Sequence, residues 1–348
     1  SESKKLLPAD MEENKNILSI ENASVGFRTK GKEIKLLENL NLTVKKGELT
    51  GLIGRNGAGK STLLRCMVRL HQLLNGIVRV QNQNIFDFHP NEFAMLLAYS
   101  ASGLEYSETM TVQELVSLGR YPYTNWIGSL TLTDFEEIDH ALDMVGIKYL
   151  SARKLIEISD GERQKVMVAR TLAQNTPIIV LDEPTAFLDL PSKYDIISIL
   201  HELTRKGKTV IFSTHDLNIA MRFSDKIWLI DGNSIHEGSP EDLILDKTIA
   251  GIFESDKIVI NPLTGDFEHN KHGSNKVCFT CDDENLRNWT VKALERSGYE
   301  ITDFDIDLPL IRAEIINSKN IWKIQRFNEI LIFVTIYDLI SSLRLSEY

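Results

Sequence analysis

Three glycines, Gly54, Gly57 and Gly59, stand ahead of Lys60, Ser61 and Thr62 in the spacing G-x-x-x-x-G-K-S. Residues of these types at these offsets handle phosphate. Glycines let a backbone wrap closely around an anion. The free N–H groups of a following helix then point at its charge. Lys60 would reach the terminal phosphates of a nucleotide, and the Ser61 hydroxyl would bind Mg²⁺. A glycine turn of purely structural purpose has no need of Lys and Ser at that offset.

Two carboxylates and a histidine extend this chemistry. Asp182 and Glu183 follow the apolar run Ile178-Ile179-Val180-Leu181. A carboxylate there is costly unless it serves a cation, so Asp182 is the second Mg²⁺ candidate. Glu183 points to the other side of the strand end and is the candidate to polarise an attacking water. Pro184 argues against a helix cap at this point. His215 lies at the tip of the buried strand Val210-Ile211-Phe212, where it can contact the γ-phosphate or hold Glu183 and the water in place. Ser159 and Glu162, three apart, form a capping box that opens a helix carried by Val166, Ala169, Leu172 and Ala173.

These residues need elements to position them. Leu49 to Ile53 reads as a short buried strand before the glycine loop, and Leu63, Leu64, Met67 and Val68 recur at helical spacing after it. The run before Asp182 reads as a strand buried on both faces, hence central in a parallel sheet, where ligands sit at strand ends. Pro191 starts a helix that buries Ile196, Ile197, Leu200 and Leu203 and stops at Lys206-Gly207-Lys208. Upstream, an opening strand from Ile17, then Ile34 to Leu37 and Leu40 to Val44, make a small antiparallel β layer. Between about residues 90 and 155 the pattern is mostly helical, with helices expected at Val112 to Leu118 and Phe135 to Val145.

Composition sets the bounds. A chain of 348 residues carries about two domains, and 43% apolar residues support an ordinary core. The net charge of −10 argues against a nucleic-acid partner and does not argue for direct binding to an acidic membrane. No apolar run approaches the ~18 residues of a membrane span, and no secretory pattern opens the sequence, so a cytosolic location is expected. Three cysteines are too few for a disulfide framework. Cys278 and Cys281 form a lone C-x-x-C without the partners of a zinc site, and read as ordinary strand residues.

Gly54 to Ser61, Ile158-Ser159-Asp160-Gly161-Glu162-Arg163-Gln164, Leu181-Asp182-Glu183-Pro184-Thr185, Leu188-Asp189 and His215, in that order, resemble the ATP-binding-cassette (ABC) ATPases of transporters. The resemblance covers residues 17 to about 250. It implies an α/β fold: a P-loop NTPase core with an antiparallel β subdomain and a helical insert (about 90–170). The domain layout expected is a disordered segment 1–16, the ATPase domain 17–255, and a small α+β C-terminal domain 275–348. The implied nucleotide set is Phe27, in the place of the aromatic that stacks on adenine, with Gly54, Asn56, Gly57, Gly59, Lys60, Ser61 and Thr62. Ser159, Gly161, Glu162 and Asp189 would act in trans, over the γ-phosphate held by a second copy. Asp160 replaces the first of the usual two glycines, and its side chain is expected to point away. A family glutamine that binds Mg²⁺ falls at Ser102, whose hydroxyl has a shorter reach. Mg²⁺ would thus be held by Ser61, Asp182 and Ser102, with Glu183 and His215 catalytic.

Leu118-Gly119-Arg120-Tyr121-Pro122-Tyr123 resembles a segment of ATPases that serve importers of iron–siderophore, haem and cobalamin. The resemblance implies ATP and Mg²⁺ as cofactors, a homodimer, two transmembrane permease subunits and, indirectly, a substrate-binding protein. It places the chain peripherally on the cytoplasmic face of the plasma membrane. Cassette ATPases of ribosomes or DNA carry two cassettes or a long coiled coil, and exporters usually fuse the membrane helices; neither pattern is present. The tail reads as β-α-β-β-β-α: strands at 277–280, 301–306, 311–316 and 330–333, a helix capped by Asp282 or Asp283 and a last helix from Ile336 to Leu343. It has no nucleotide or metal motif, and a dimerisation or stabilising module is the expected role, ahead of a ligand-sensing one.

Overall fold

The computed structural model describes residues 16–29, 32–101, 106–107, 109–255, 258–261, 267–269, 275–302, 305, 308–326 and 329–345. The segment expected to be disordered falls outside these, apart from Asn16, which opens the first strand. The chain divides into two compact units, residues 1–252 and 253–348.

In the first unit, β1 (Asn16–Thr29) pairs antiparallel with β2 (Lys32–Lys45), setting Leu18 against Val44 and Ile20 against Leu42. The two separate strands expected between Ile34 and Val44 are one. Asn22 and Asn39 adopt φ of 45° and 54°, which asparagine tolerates, so the ladder bends through irregularities without breaking. β3 (Leu49–Ile53) leads through the glycine loop into α1 (Lys60–Met67), and β4 (Asn75–Val80) and β5 (Gln83–Asn84) complete a four-stranded sheet in the order β2-β1-β4-β5.

The chain continues through α2 (Pro90–Leu96), β6 (Leu97–Ser100), α3 (Val112–Ser117), α4 (Leu132–Met144), α5 (Asp160–Ala173), β7 (Ile178–Leu181) and α6 (Leu190–Arg205). It closes through β8 (Thr209–Thr214), α7 (Leu217–Phe223), β9 (Lys226–Asp231), β10 (Ser234–Gly238), α8 (Pro240–Leu245) and α9 (Thr248–Phe253). A six-stranded sheet in the order β10-β9-β3-β8-β7-β6 is parallel except for β10. β6 interrupts the helical stretch expected from about residue 90: Leu97-Ala98-Tyr99-Ser100 is too short and too buried for a helix, and it pairs with β7.

Alternation along β7 feeds two cores, as side chains of successive strand residues must. Ile178 and Val180 pack with β1, β2, β4 and α1, while Ile179 and Leu181 pack with α3 to α6. Full burial of each such aliphatic side chain stabilises the fold by about 1.5–3 kcal/mol.

The segment Leu118 to Tyr123 is a structural node. Arg120 is buried, donates from Nε to Asp134 Oδ1 at 2.8 Å and from Nη1 to the Ala173 carbonyl at 2.8 Å, and lies 4.0 Å from the Tyr123 ring centroid. Gly119 lies against α5 so closely that a Cβ would sit 2.2 Å from the Arg170 carbonyl oxygen. These contacts tie the turn after α3 to α4 and α5.

The second unit holds a two-stranded sheet of β11 (Ile258–Ile260) and β12 (Phe267–His269). Its larger part runs β13 (Asn275–Cys281), α10 (Glu284–Arg296), β14 (Tyr299–Thr302), β15 (Leu310–Ile316), β16 (Lys319–Arg326), β17 (Glu329–Phe333) and α11 (Ile336–Leu345). Asp283 caps α10 through the Leu286 N–H, as its sequence suggests. The strand expected at 301–306 is described only to Thr302; residues 303, 304, 306 and 307 lie outside the described set. The tail has one strand more than expected, β16, which turns back from β15 through Asn317-Ser318 at φ of 50° and 61°. The resulting sheet, β14-β13-β15-β16-β17, buries Trp322, whose Nε1 donates to Thr290 Oγ1. Cys278 and Cys281 are buried strand residues outside any disulfide.

Candidate nucleotide site

β3 is wholly buried and delivers the chain to Gly54, where a Cβ would come within 3.0 Å of Ile230 Cβ. Gly57 and Gly59 adopt φ of 81° and 101°, conformations that strain any L side chain, and Gly59 is the N-cap of α1. The loop thus turns tightly enough to aim the first N–H groups of α1 inward. Lys60 is buried; its Nζ donates to the carbonyls of Gly54 at 2.8 Å and Arg55 at 3.3 Å. Ser61 and Thr62 follow in the first turn of α1.

The carboxylates arrive from β7. Asp182 is almost fully buried and accepts a hydrogen bond from Ser213 Oγ at 2.7 Å, while its N–H donates to the Ser100 carbonyl at 2.8 Å. The Glu183 N–H donates to the same Ser213 Oγ at 2.9 Å. Glu183 adopts φ of 50°, a left-handed conformation that turns the chain sharply at the strand end. Its Oε1 lies 3.8 Å from Lys60 Nζ and its Oε2 lies 3.7 Å from His215 Nδ1. Burial pulls the Lys60 ammonium below its ordinary pKa, and the negative charges of Glu183 and Asp182 oppose that pull. Lys60, Asp182, Glu183 and His215, far apart in sequence, therefore converge at the ends of β3, β7 and β8. The arrangement provides a cation and loop amides for an anion, a buried carboxylate, and a carboxylate backed by imidazole.

The donor set suits a hard divalent cation: a buried Asp182 carboxylate already oriented by hydrogen bonds, and a hydroxyl at Ser61. Ser102 lies outside the described residues.

Phe27 on β1 is partly exposed, and its ring is tilted against His71 at a centroid distance of 5.3 Å. His71 Nε2 is 2.8 Å from the Gly26 carbonyl, which fixes the imidazole beside Phe27. Phe27 thus offers an open ring face at a rigid strand position.

The capped start of α5 forms as its sequence dictates. Ser159 Oγ accepts from the Glu162 N–H, and Glu162 Oε2 accepts from both the Ser159 N–H and Oγ at 2.8 Å. Donation from the Ser159 N–H and hydroxyl holds the Glu162 carboxyl below its usual range. The Asp160 side chain is exposed, in loose contact with Arg163. Asp189 caps α6 by accepting from the Ser192 N–H. Gly161 packs against the loop after Glu183, since a Cβ there would lie 3.3 Å from the Phe187 carbonyl oxygen.

Two positioning roles lie beyond what the motifs assign. Ser213 links Asp182 to the Glu183 backbone, and Gln164 donates from Nε2 to the Glu183 carbonyl at 3.1 Å. The signal for Ser213 was present: a hydroxyl inside an apolar strand must find a partner.

Comparison with known proteins identifies the family. The family model for ABC transporters matches residues 37–186, and that for the iron ABC transporter C-terminal domain matches residues 274–344. The petrobactin import ATP-binding protein FpuD of Bacillus anthracis is 37% identical over 236 residues, covering 67% of this chain and 86% of that protein. The iron(3+)-hydroxamate import ATP-binding protein FhuC of Bacillus subtilis is 35% identical over 270 residues, covering 77% of this chain and 96% of that protein. A bacterial ABC transporter cassette solved as a dimer shares the fold with a TM-score of 0.59 at 27% identity, over 64% of this chain and 98% of its own. The chain belongs to the ABC transporter ATP-binding proteins, ATPases that couple ATP hydrolysis to transport.

Proposed function

We propose that this chain is the ATP-hydrolysing subunit of a membrane importer for a ferric siderophore or a related metal chelate. The observation that carries the site reading is the convergence of Lys60, Glu183 and His215 at the mouth of the glycine loop. The cargo class is supported by the names of the relatives and by the tail's match to the iron ABC transporter C-terminal domain.

In this reading the amides of Gly57 to Thr62 and the Lys60 ammonium hold the β- and γ-phosphates, and Phe27 stacks on the base. Ser61 and Asp182 hold Mg²⁺, which would supply charge neutralisation on the phosphates; Ser102 is the further candidate ligand. Glu183 accepts the proton of the attacking water, and His215 steadies Glu183. Two copies close on two nucleotides, with Ser159, Gly161, Glu162 and Asp189 of each covering the nucleotide of the other. Loss of the γ-phosphate removes the charge joining them, and the opening moves the membrane partner.

A groove of about 810 Å³ beside α3, lined by Met110, Gln113, Leu118, Leu130 and Phe135, supports docking to a permease. Trp126 and Ile127, on the same helical part of the unit, are highly exposed. No described helix is long and apolar enough to cross a membrane; in this reading permease subunits supply the span. The chain would then sit peripherally at the cytoplasmic face, served indirectly by a substrate-binding protein.

Lys60→Ala tests the site. Removing the ammonium is expected to weaken Mg-ATP binding by at least about tenfold, since charge-assisted contacts are worth roughly 1.5–3 kcal/mol. Calorimetric titration of parent and variant measures it, and an unchanged affinity would remove Lys60 from the phosphate site.

A further inference from the structure

In the second unit, α10 and α11 lie side by side and leave a cleft of about 580 Å³ between their outward faces. Each helix contributes one stripe at helical spacing: Trp289, Lys292, Ala293 and Arg296 from α10, and Ile336, Tyr337, Ile340, Ser341 and Arg344 from α11. Ala293 and Ile340 are buried and form an apolar floor, whereas Trp289 and Tyr337 are 64% and 80% exposed and stand as aromatic walls. Lys292 Nζ lies 5.1 Å from the Trp289 ring centroid.

The charge on this cleft is one-sided. Among the described residues three cations line it and no carboxylate does, in a chain of net charge −10. Among the described residues, no ion pair engages Lys292, Arg296 or Arg344. Arg296 and Arg344 lie in the last turns of their helices, where a cation offsets the helix dipole. That role does not account for Lys292, or for two large aromatic rings left open beside the cations.

We propose that this cleft binds a small organic anion with a flat apolar body. The floor and the Trp289 and Tyr337 rings would bury the body, and Lys292, Arg296 and Arg344 would hold the anionic group. Concavity favours a small molecule over a bilayer, since cavities of this volume are of the size that encloses one. The site lies wholly within the second unit and uses none of the nucleotide-binding residues.

The test titrates naphthalene-2-sulfonate into the full chain by calorimetry, beside the neutral naphthalene-2-methanol. The parent is expected to bind the sulfonate. A Lys292→Gln, Arg296→Gln, Arg344→Gln triple variant should bind it at least about tenfold more weakly, and the neutral analogue should bind weakly to both. No binding of the sulfonate, equal binding by the triple variant, or equal affinity for the neutral analogue would each overturn the proposal. So would charge-dependent pelleting with phosphatidylglycerol vesicles without sulfonate binding, which would make the cleft a lipid contact. ATP hydrolysis by the triple variant should be unchanged, which separates failure of this site from failure of the nucleotide reading.

Discussion

Glu183→Gln is expected to lower ATP turnover by about 10²–10⁴-fold while leaving nucleotide binding in place. The amide keeps the size of the carboxylate and its position between Lys60 and His215, but it cannot accept the proton of an attacking water. The substitution also removes a negative charge from beside Lys60, so Mg-ATP should bind at least as well as to the parent. With binding intact and hydrolysis blocked, the closed pair should accumulate as an ATP-dependent dimer. Phosphate release and size-exclusion chromatography with Mg-ATP read the two effects. Turnover close to that of the parent would take Glu183 out of the chemistry.

The second large effect concerns stability. Arg120→Ala is expected to destabilise the first unit by about 3–5 kcal/mol, because it leaves the Asp134 carboxylate buried without its cation. It also removes the donor to the Ala173 carbonyl and the guanidinium beside Tyr123. Burial alone would push the Asp134 carboxyl up; donation from the Thr131 N–H and hydroxyl, and then the Arg120 guanidinium, outweighs it and holds the group below its ordinary value of 3.8. The sign follows from linkage. Asp134 contributes fully above 3.8, and its contribution fades as pH falls from there through the lower folded value. Urea denaturation should show Arg120→Ala unfolding well before the parent at neutral pH. The gap between parent and Asp134→Asn should narrow as pH falls through that window. Coincident unfolding of Arg120→Ala and the parent would demote this pair to a surface detail.

Much of the nucleotide site was legible because its chemistry is local. A strand, a glycine loop and a helix are contiguous at Leu49 to Met67, and the capping box of Ser159 and Glu162 needs four residues. β7 was legible because four apolar residues bounded by Pro177 and Asp182 admit few other readings. β9 lies outside every motif, although Ile227-Trp228-Leu229-Ile230 is as apolar and the following Asp231-Gly232-Asn233 turns the chain into β10. In the tail, β16 was hidden by Lys319, Lys323 and Arg326, which dilute the apolar pattern of a strand with one open face. What sequence cannot show is which distant groups meet. Arg120 and Asp134 pair across a turn, Ser213 serves two residues of the neighbouring strand, and Gln164 reaches back to Glu183. Each of those contacts exists only once the sheet and the helical part have packed.

The hydrogen bond that the Gln164 side-chain amide donates to the Glu183 carbonyl fastens the first turns of α5 to the turn that carries Glu183. Were two copies to pair as proposed, with Ser159 and Gly161 turned toward the neighbour, a shift of α5 would drag Glu183 along, and the condition of one chamber would be felt in the next.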